Sequence, residues 1–233
     1  MPTLKQRNLH VLDALMIKLL LRNLDLCNVL AFNFDLQAVL EVPRANTGPI
    51  CYKRKLATYN LCAFNLLSHE GHCFMWAENT AGRGSIEIAS CIFKHIGTQL
   101  SLNPDITSIK MMSDSCGGQT RNNFYFATMC MYAVEHYPQL QEIDHRFFEP
   151  GHSEMECDSM HSMIERHTKP ISMWIPHDWV IAAALARTNP KPYTVVEMEQ
   201  KDFKDFKDLS KVLIKNRTTG DDGKLDADKV VPL

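Results

Sequence analysis

The spacing of apolar positions changes period several times along the chain, and each change marks an element. Residues 8–22 carry Val11, Leu12, Leu15, Leu19 and Leu20 at helical spacing, which predicts an N-terminal amphipathic helix within a segment 1–27. "NVLAFNFDLQ" (28–37) alternates and is rich in Val and Phe, so it predicts a strand ending near Asp35. The following "EVPRANTGPI", with its prolines and glycine, predicts a loop. "YKRKLATYNLCAFNLLS" and "GHCFMWAEN" are further predicted strands, and "SHEG" between them is the turn of a hairpin.

The period then lengthens. "GRGSIEIASCIFKHIGTQL" sets Ile88, Cys91, Ile92, His95 and Ile96 at helical spacing, with Ser85 as the expected N-cap. "ITSIKMMSD" (106–114) is a short apolar run ended by an acid, and glycine-rich "SCGGQTRNN" connects it to a long apolar helix, "FYFATMCMYAVEHY". "EIDHRFFEPGH" predicts another strand with its exit loop. A helix follows from about Ser153 to His167 and stops at Lys169-Pro170.

This order predicts an α/β fold over 28–170, a mixed five-stranded sheet with helices on both faces. Beyond it, 171–215 reads as a small α/β appendage made of "DWVIAAALART", "YTVVEM" and "DFKDFKDLSKVLIK", and 216–233 as a polar tail.

Composition narrows the class. With 45% apolar residues in 233, the chain can fill a sizeable core, which excludes a disordered protein. Lysine plus arginine is 25 against 27 for aspartate plus glutamate, so the net charge is −2 and contact with nucleic acid would need a local patch. The eight cysteines include no Cys-x-x-Cys pair, which predicts buried reduced thiols rather than a disulfide framework. Asp13, Lys18 and Arg22 interrupt the most apolar N-terminal stretch, so neither a signal peptide nor a membrane span is expected, and the protein reads as intracellular.

Candidate chemistry sits at predicted strand ends. Asp35 and Asp114 each close a strand, and neighbouring strands of an open α/β sheet present such ends together at a switch point. Paired carboxylates repel unless a proton or cation intervenes, and hard cations favour their oxygens. The plainer alternative makes Asp35 a turn former and Asp114 a helix cap. On the 153–167 helix, about 100° per residue puts Glu154, Asp158, His161 and Glu165 in an arc of roughly 60°, with Met160, Met163 and Ile164 opposite. Such an arc is either a solvated face or the third wall of a metal site, with Asp158 the favoured acid and Glu154 and Glu165 held in reserve.

A zinc set of His152, Cys157 and His161 is a weaker competitor, because Cys157 lies off the arc. In "SDSCGGQTRNN", Gln119, Arg121 and Asn122 are available to phosphate or base, and Cys116 near a helix start is an alternative nucleophile.

"FDLQ", "YKRKLATYNLCAFN", "MWAENTAGRGSIEIASCIFKHI", "SDSCGGQTRNN", "HRFFEPGHSEMECDSMHSMIER" and "VVEMEQKDFKDFKDLSK" resemble, in this order, a family of transposon-derived proteins abundant in insect and other invertebrate genomes. The resemblance covers roughly residues 28–215. It implies a ribonuclease H-like fold of the DDE/DDD transposase and integrase kind, with Asp35 on the first strand, Asp114 on the fourth and Asp158 as the third acid. These would hold Mg²⁺ or Mn²⁺ and act on DNA phosphodiesters in the nucleus, with His152, His161 and Gln119 as supporting contacts.

The chain opens directly on the expected helix, so a truncated or domesticated copy is anticipated. A nuclease without strand transfer, or an inactive interaction protein working through Phe203, Phe206 and Leu209 or as a homo-oligomer, are the alternatives.

Overall fold

The computed structural model describes residues 28–45, 54–114, 124–148 and 155–214, together with the backbone of 3–9. The strands are β1 (Thr3–Leu9), β2 (Val29–Leu36), β3 (Leu40–Val42), β4 (Leu56–Asn65), β5 (Gly71–Ala77), β6 (Ser108–Ser113), β7 (Glu142–Phe148) and β8 (Thr194–Glu197). The helices are α1 (Ser85–Leu102), α2 (Phe124–His136), α3 (Glu156–Thr168), α4 (Pro176–Leu185) and α5 (Phe206–Leu213).

All strands join one sheet in the order β1-β7-β6-β2-β4-β5-β8, with β3 paired to β4. β2, β6 and β7 are mutually parallel, β4 is antiparallel to β2 and β5, and so β5 runs in the direction of β2. A three-stranded antiparallel meander followed by two parallel strands on its far side is the ribonuclease H-like arrangement of an α/β protein. Its direction matters for function. The carboxyl ends of β2, β5, β6 and β7 all reach the same edge of the sheet, where ligands bind in open α/β folds.

The sheet is wider than five strands. Thr3–Leu9, within the segment expected to be an N-terminal helix, is instead a strand lying parallel to β7. Residues 10–27, which carry most of the helical pattern, fall outside the described residues. Leu40–Val42, at the start of the predicted loop, is the short strand β3, where Leu40 and Val42 are buried and Glu41 is exposed. The stretch read as an appendage extends the same layers: β8 pairs with β5, and Phe206 of α5 is buried in the main core.

Alternation sorts the strand residues between two cores. Leu30, Phe32 and Phe34 of β2 face α1, α2 and α5, whereas Ala31 belongs to the core under α3 and α4. The first face is aromatic: Phe34 stacks on Phe126 at 5.7 Å, and His95 stands edge-on to Phe32 at 4.8 Å. Helix α1 begins one residue earlier than the Ser85 reading implies, with Gly84 at the N-cap, whose N–H is taken at 2.9 Å by the Glu87 carboxylate.

On the second face, α3 lies against β2 and β4 with Cys157, Met160, Ile164 and Thr168 buried. That stripe repeats every three or four residues, which is why this segment is helical and amphipathic. Close docking requires Gly71, since a Cβ there would stand 2.8 Å from both Met160 Cε and the Tyr193 ring. The end of α3 is held by Arg44, which donates to the Thr168 carbonyl at 2.5 Å and lies 4.5 Å over the Trp179 ring. Five of the cysteines, Cys62, Cys73, Cys91, Cys130 and Cys157, are buried free thiols, in line with the sequence reading. Among the described residues no helix is long and apolar enough to cross a membrane.

Candidate metal centre

Parallel register carries Asp35 and Asp114 to one place. Phe34 of β2 pairs with Ser113 of β6, so the next residues along, Asp35 and Asp114, leave the same sheet edge side by side. By alternation Asp35 is on the α3 face, opposite the side taken by Phe34. Helix α3 then crosses over this edge. One oxygen of Asp35, one of Asp158 and one nitrogen of His161 lie within 4.8 Å of one another, a group that could hold a cation.

The electrostatics show how unusual the place is. The Asp35 carboxyl is pushed up to about 7, first by burial and then by the negative charge of Asp114, with Asp158 adding a smaller push. A hydrogen bond from the Leu36 backbone and the charge of Arg83 pull the other way and do not compensate. The bed beneath Asp35 explains the burial: its β4 partner is Cys62, which in turn pairs with Cys73. The thiols of Cys62 and of Cys157 on α3 are held protonated, each raised well above the ordinary thiol range by burial. Burial and the neighbouring carboxylates therefore both favour the protonated form of Asp35.

His161 is mostly enclosed, with 12% of its side chain exposed, and burial lowers its proton affinity despite the pull of Asp158 and Glu165. Its Nδ1 lies 3.9 Å from Asp35 Oδ2, too far for a hydrogen bond, and a neutral imidazole forms no ion pair. Its Nε2 is buried without a hydrogen-bond partner. The imidazole and the carboxylates of Asp35 and Asp158 form a group that could hold a metal ion.

Asp158 already has one task. Its Oδ2 accepts the Met155 N–H at 2.8 Å, closing the first turn of α3. Its exposed carboxylate thus has a fixed orientation and can offer its remaining lone pairs outward. Glu165, one of the reserve acids, faces Gln37 instead, whose Nε2 donates to Glu165 Oε1 at 3.4 Å. Glu154, His152, Cys116, Gln119, Arg121 and Asn122 fall outside the described residues.

The zinc set loses its thiol, because Cys157 points into the sheet and donates to Asn33 Oδ1 at 3.1 Å and to the Cys62 carbonyl at 3.4 Å. The docking helix loses its anchors too: Phe206 is buried on the core, and Phe203 packs at 5.7 Å against Trp76.

Two residues beside the centre escaped the sequence reading. Asn33 and Gln37 are both 1% exposed, and both bond α3. The signal was present in "FNFDLQ": polar residues at every second position of an otherwise apolar strand, one of them an acid.

No family model matches the chain, and no curated protein matches it. Among solved structures it is similar to a chain of the simian T-cell lymphotropic virus intasome in complex with PP2A regulatory subunit B56 gamma, at 10% identity and a TM-score of 0.39. That likeness covers 82% of this chain and 63% of the other. It is also similar to the human cytomegalovirus terminase nuclease domain, Mn soaked and inhibitor bound, at 11% identity and a TM-score of 0.35 over 81% of this chain and 73% of that one. At these identities and scores the likeness bears on neither site nor activity.

Proposed function

We propose that this chain is a metal-dependent phosphodiester-cleaving domain of the transposase and integrase kind, transposon-derived and acting on DNA. The observation that carries the reading is the convergence of Asp35, Asp158 and His161 within 4.8 Å, with Asp114 near enough to raise the proton affinity of Asp35.

The donor set fits a divalent cation. Carboxylate oxygens suit Mg²⁺, and the added imidazole makes Mn²⁺ at least as well matched. Asp35, Asp114 and Asp158 would hold the metal, with His161 beside them. The chemistry that divalent ions would supply here is activation of a water or 3′-hydroxyl and stabilisation of the leaving oxygen in an in-line displacement.

The chain's own residues prepare that chemistry. Asp35, whose proton affinity is raised by burial and by Asp114, would be held in its charged form by a bound cation. Asp158 is oriented by the Met155 N–H and has an oxygen within 4.8 Å of Asp35 and His161. A groove of about 630 Å³ is lined by Asp158 and Glu156 together with Ser159, Ser162 and Arg166, and the hydroxyls and the guanidinium are groups that contact a phosphate backbone. Arg83, on the loop leaving β5 at the same edge, adds a second positive charge felt by Asp35.

The test is calorimetric titration of the protein with Mn²⁺ and Mg²⁺, repeated for Asp35→Asn and Asp114→Ala, alongside cleavage and strand-transfer assays on double-stranded DNA. Binding that depends on both acids, with metal-dependent nicking, is the expected result. Transfer of a 3′-end into target DNA would specify a transposase, and nicking alone a nuclease. Absence of carboxylate-dependent metal binding would overturn the reading.

A further inference from the structure

Three side chains on one face of β2 and its exit, Asn33, Asp35 and Gln37, meet α3 in succession. Asn33 Nδ2 donates to Glu156 Oε2, and its Oδ1 accepts from the Cys157 thiol at 3.1 Å. Gln37 is oriented by Asn60, whose Nδ2 donates to Gln37 Oε1 at 2.9 Å, and its own Nε2 donates to Glu165 Oε1 at 3.4 Å and to the His161 carbonyl at 3.5 Å. Asp35 lies between the amides, facing Asp158 and His161.

The lengths agree. Four residues of strand rise about 13.5 Å, and the eight or nine residues of helix from Glu156 or Cys157 to Glu165 rise about 12–13.5 Å. Helix and strand therefore stay in step across the whole contact, with the acid pair at its centre.

Apolar packing and the Arg44 bond to the Thr168 carbonyl contribute to that step, and the amides add a directional constraint. The stripe on α3 is Cys157, Met160 and Ile164, and a methionine accommodates a displaced neighbour readily. A slip of one helical turn moves α3 by about 5.4 Å, more than the whole 4.8 Å span of the ligand atoms. Buried amides bonded at both ends penalise such a slip, because each would be left with an unsatisfied donor or acceptor.

We infer that Asn33 and Gln37 are positioning residues, a two-point amide clamp that sets the register of α3 on β2 and so the spacing of the Asp35, Asp158 and His161 ligand atoms. The inference rests on the metal-centre reading for its purpose and on the hydrogen bonds alone for its mechanics.

The test uses the full chain with Gln37→Leu and Asn33→Leu, which keep side-chain volume without the amide, so that if one fails to fold the other still reports. Hydrogen exchange is followed in α3 and α1. Exchange in Glu156–Thr168 accelerates at least about tenfold in the variants while Ser85–Leu102 keeps its protection. Unchanged protection of α3 in the variants overturns the clamp.

Mn²⁺ affinity is measured in parallel, with Asp35→Asn as the reference for a lost site and Leu61→Ala as a core truncation on the opposite face. Affinity falls about 10- to 100-fold in the clamp variants and stays within about twofold of wild type in Leu61→Ala. Wild-type affinity in both clamp variants refutes the positioning role. A wild-type protein showing no Asp35-dependent Mn²⁺ binding instead sinks the metal-centre reading, and the exchange comparison then decides the clamp by itself.

Discussion

Phe32, Phe34, Phe74 and Trp76 fill one face of the sheet beneath α1, α2 and α5, whereas Asn33, Asp35, Gln37, Asn60 and Cys62 lie on the other beneath α3. Both faces bury polar groups, but they handle them in opposite ways. The aromatic face buries His95 and His145 and holds each neutral, with proton affinity lowered to about 3 by burial. The α3 face buries amides that bond the helix, and it gathers acids whose charges are left facing one another at the edge. One face spends its side chains on packing, and the other gives up some packing to hold a particular arrangement of oxygen and nitrogen.

The largest effect should come from breaking the second face at its centre. Asp35→Ala is expected to reduce metal-dependent DNA cleavage by at least about 10³-fold, since removal of one member of a site that acts as a unit costs nearly the whole activity. Nicking of supercoiled plasmid in Mn²⁺ measures it.

Next comes the aromatic face. Phe126→Ala removes a fully buried ring stacked on Phe34 and should cost about 3–5 kcal/mol in denaturant unfolding. Its Mn²⁺ affinity under folding conditions should be close to that of the wild type.

Asp35→Asn sharpens the contrast, because it should do the opposite to stability. Folding raises the Asp35 proton affinity from 3.8 to about 7, so the native state binds more protons than the unfolded one across that window. Stability contributed by this group is present below pH 4 and is lost as pH rises through 7. At pH 8 without metal, Asp35→Asn should therefore be more stable than the wild type by roughly 2–4 kcal/mol. Equal stabilities at pH 8 would contradict the burial of a charge at this position. With Mn²⁺ added the order should reverse, because only the wild type gains from the ligand.

Acid acts on the first face with the reverse sign. His95 and His145 have folded proton affinities below their unfolded value of 6.5, so the unfolded chain binds more protons once pH falls under that value. Their contribution is complete above about pH 6.5 and is lost toward pH 3, at about 1.4 kcal/mol per pH unit for each imidazole. His95→Phe should flatten the acid limb of a stability curve taken between pH 7 and pH 4. A slope equal to that of the wild type would mean that the ring gains a partner on protonation.

Much of the fold could be read along the chain, because apolar period is a local property. "FNFDLQ" and "YNLCAFN" alternate as strands must, and the apolar side of Met160, Met163 and Ile164 opposite the acidic arc announces α3. Asp35 and Asp114 were legible as acids at strand ends, and the arc through Asp158 and His161 followed from helix geometry. The strand character of Thr3–Leu9 was not legible, because pairing with β7 is a tertiary event that overrides a weak local pattern. Nor was it evident that Phe206 is buried, since a stripe spaced three apart looks the same whether a partner or the parent domain covers it.

The sequence by itself determined which residues point to which side of each element, and so which acids and amides were available to meet. Only the tertiary structure decided that they do meet. Parallel register brought Asp114 beside Asp35, and Asn33 and Gln37 met α3 at matching rises, leaving Asp158 and His161 opposite Asp35. The physical reason is range. Side-chain direction is fixed by backbone dihedrals within a few residues, whereas the spacing of ligand atoms depends on hydrogen bonds between segments more than a hundred positions apart, such as the 123 separating Asn33 from Glu156.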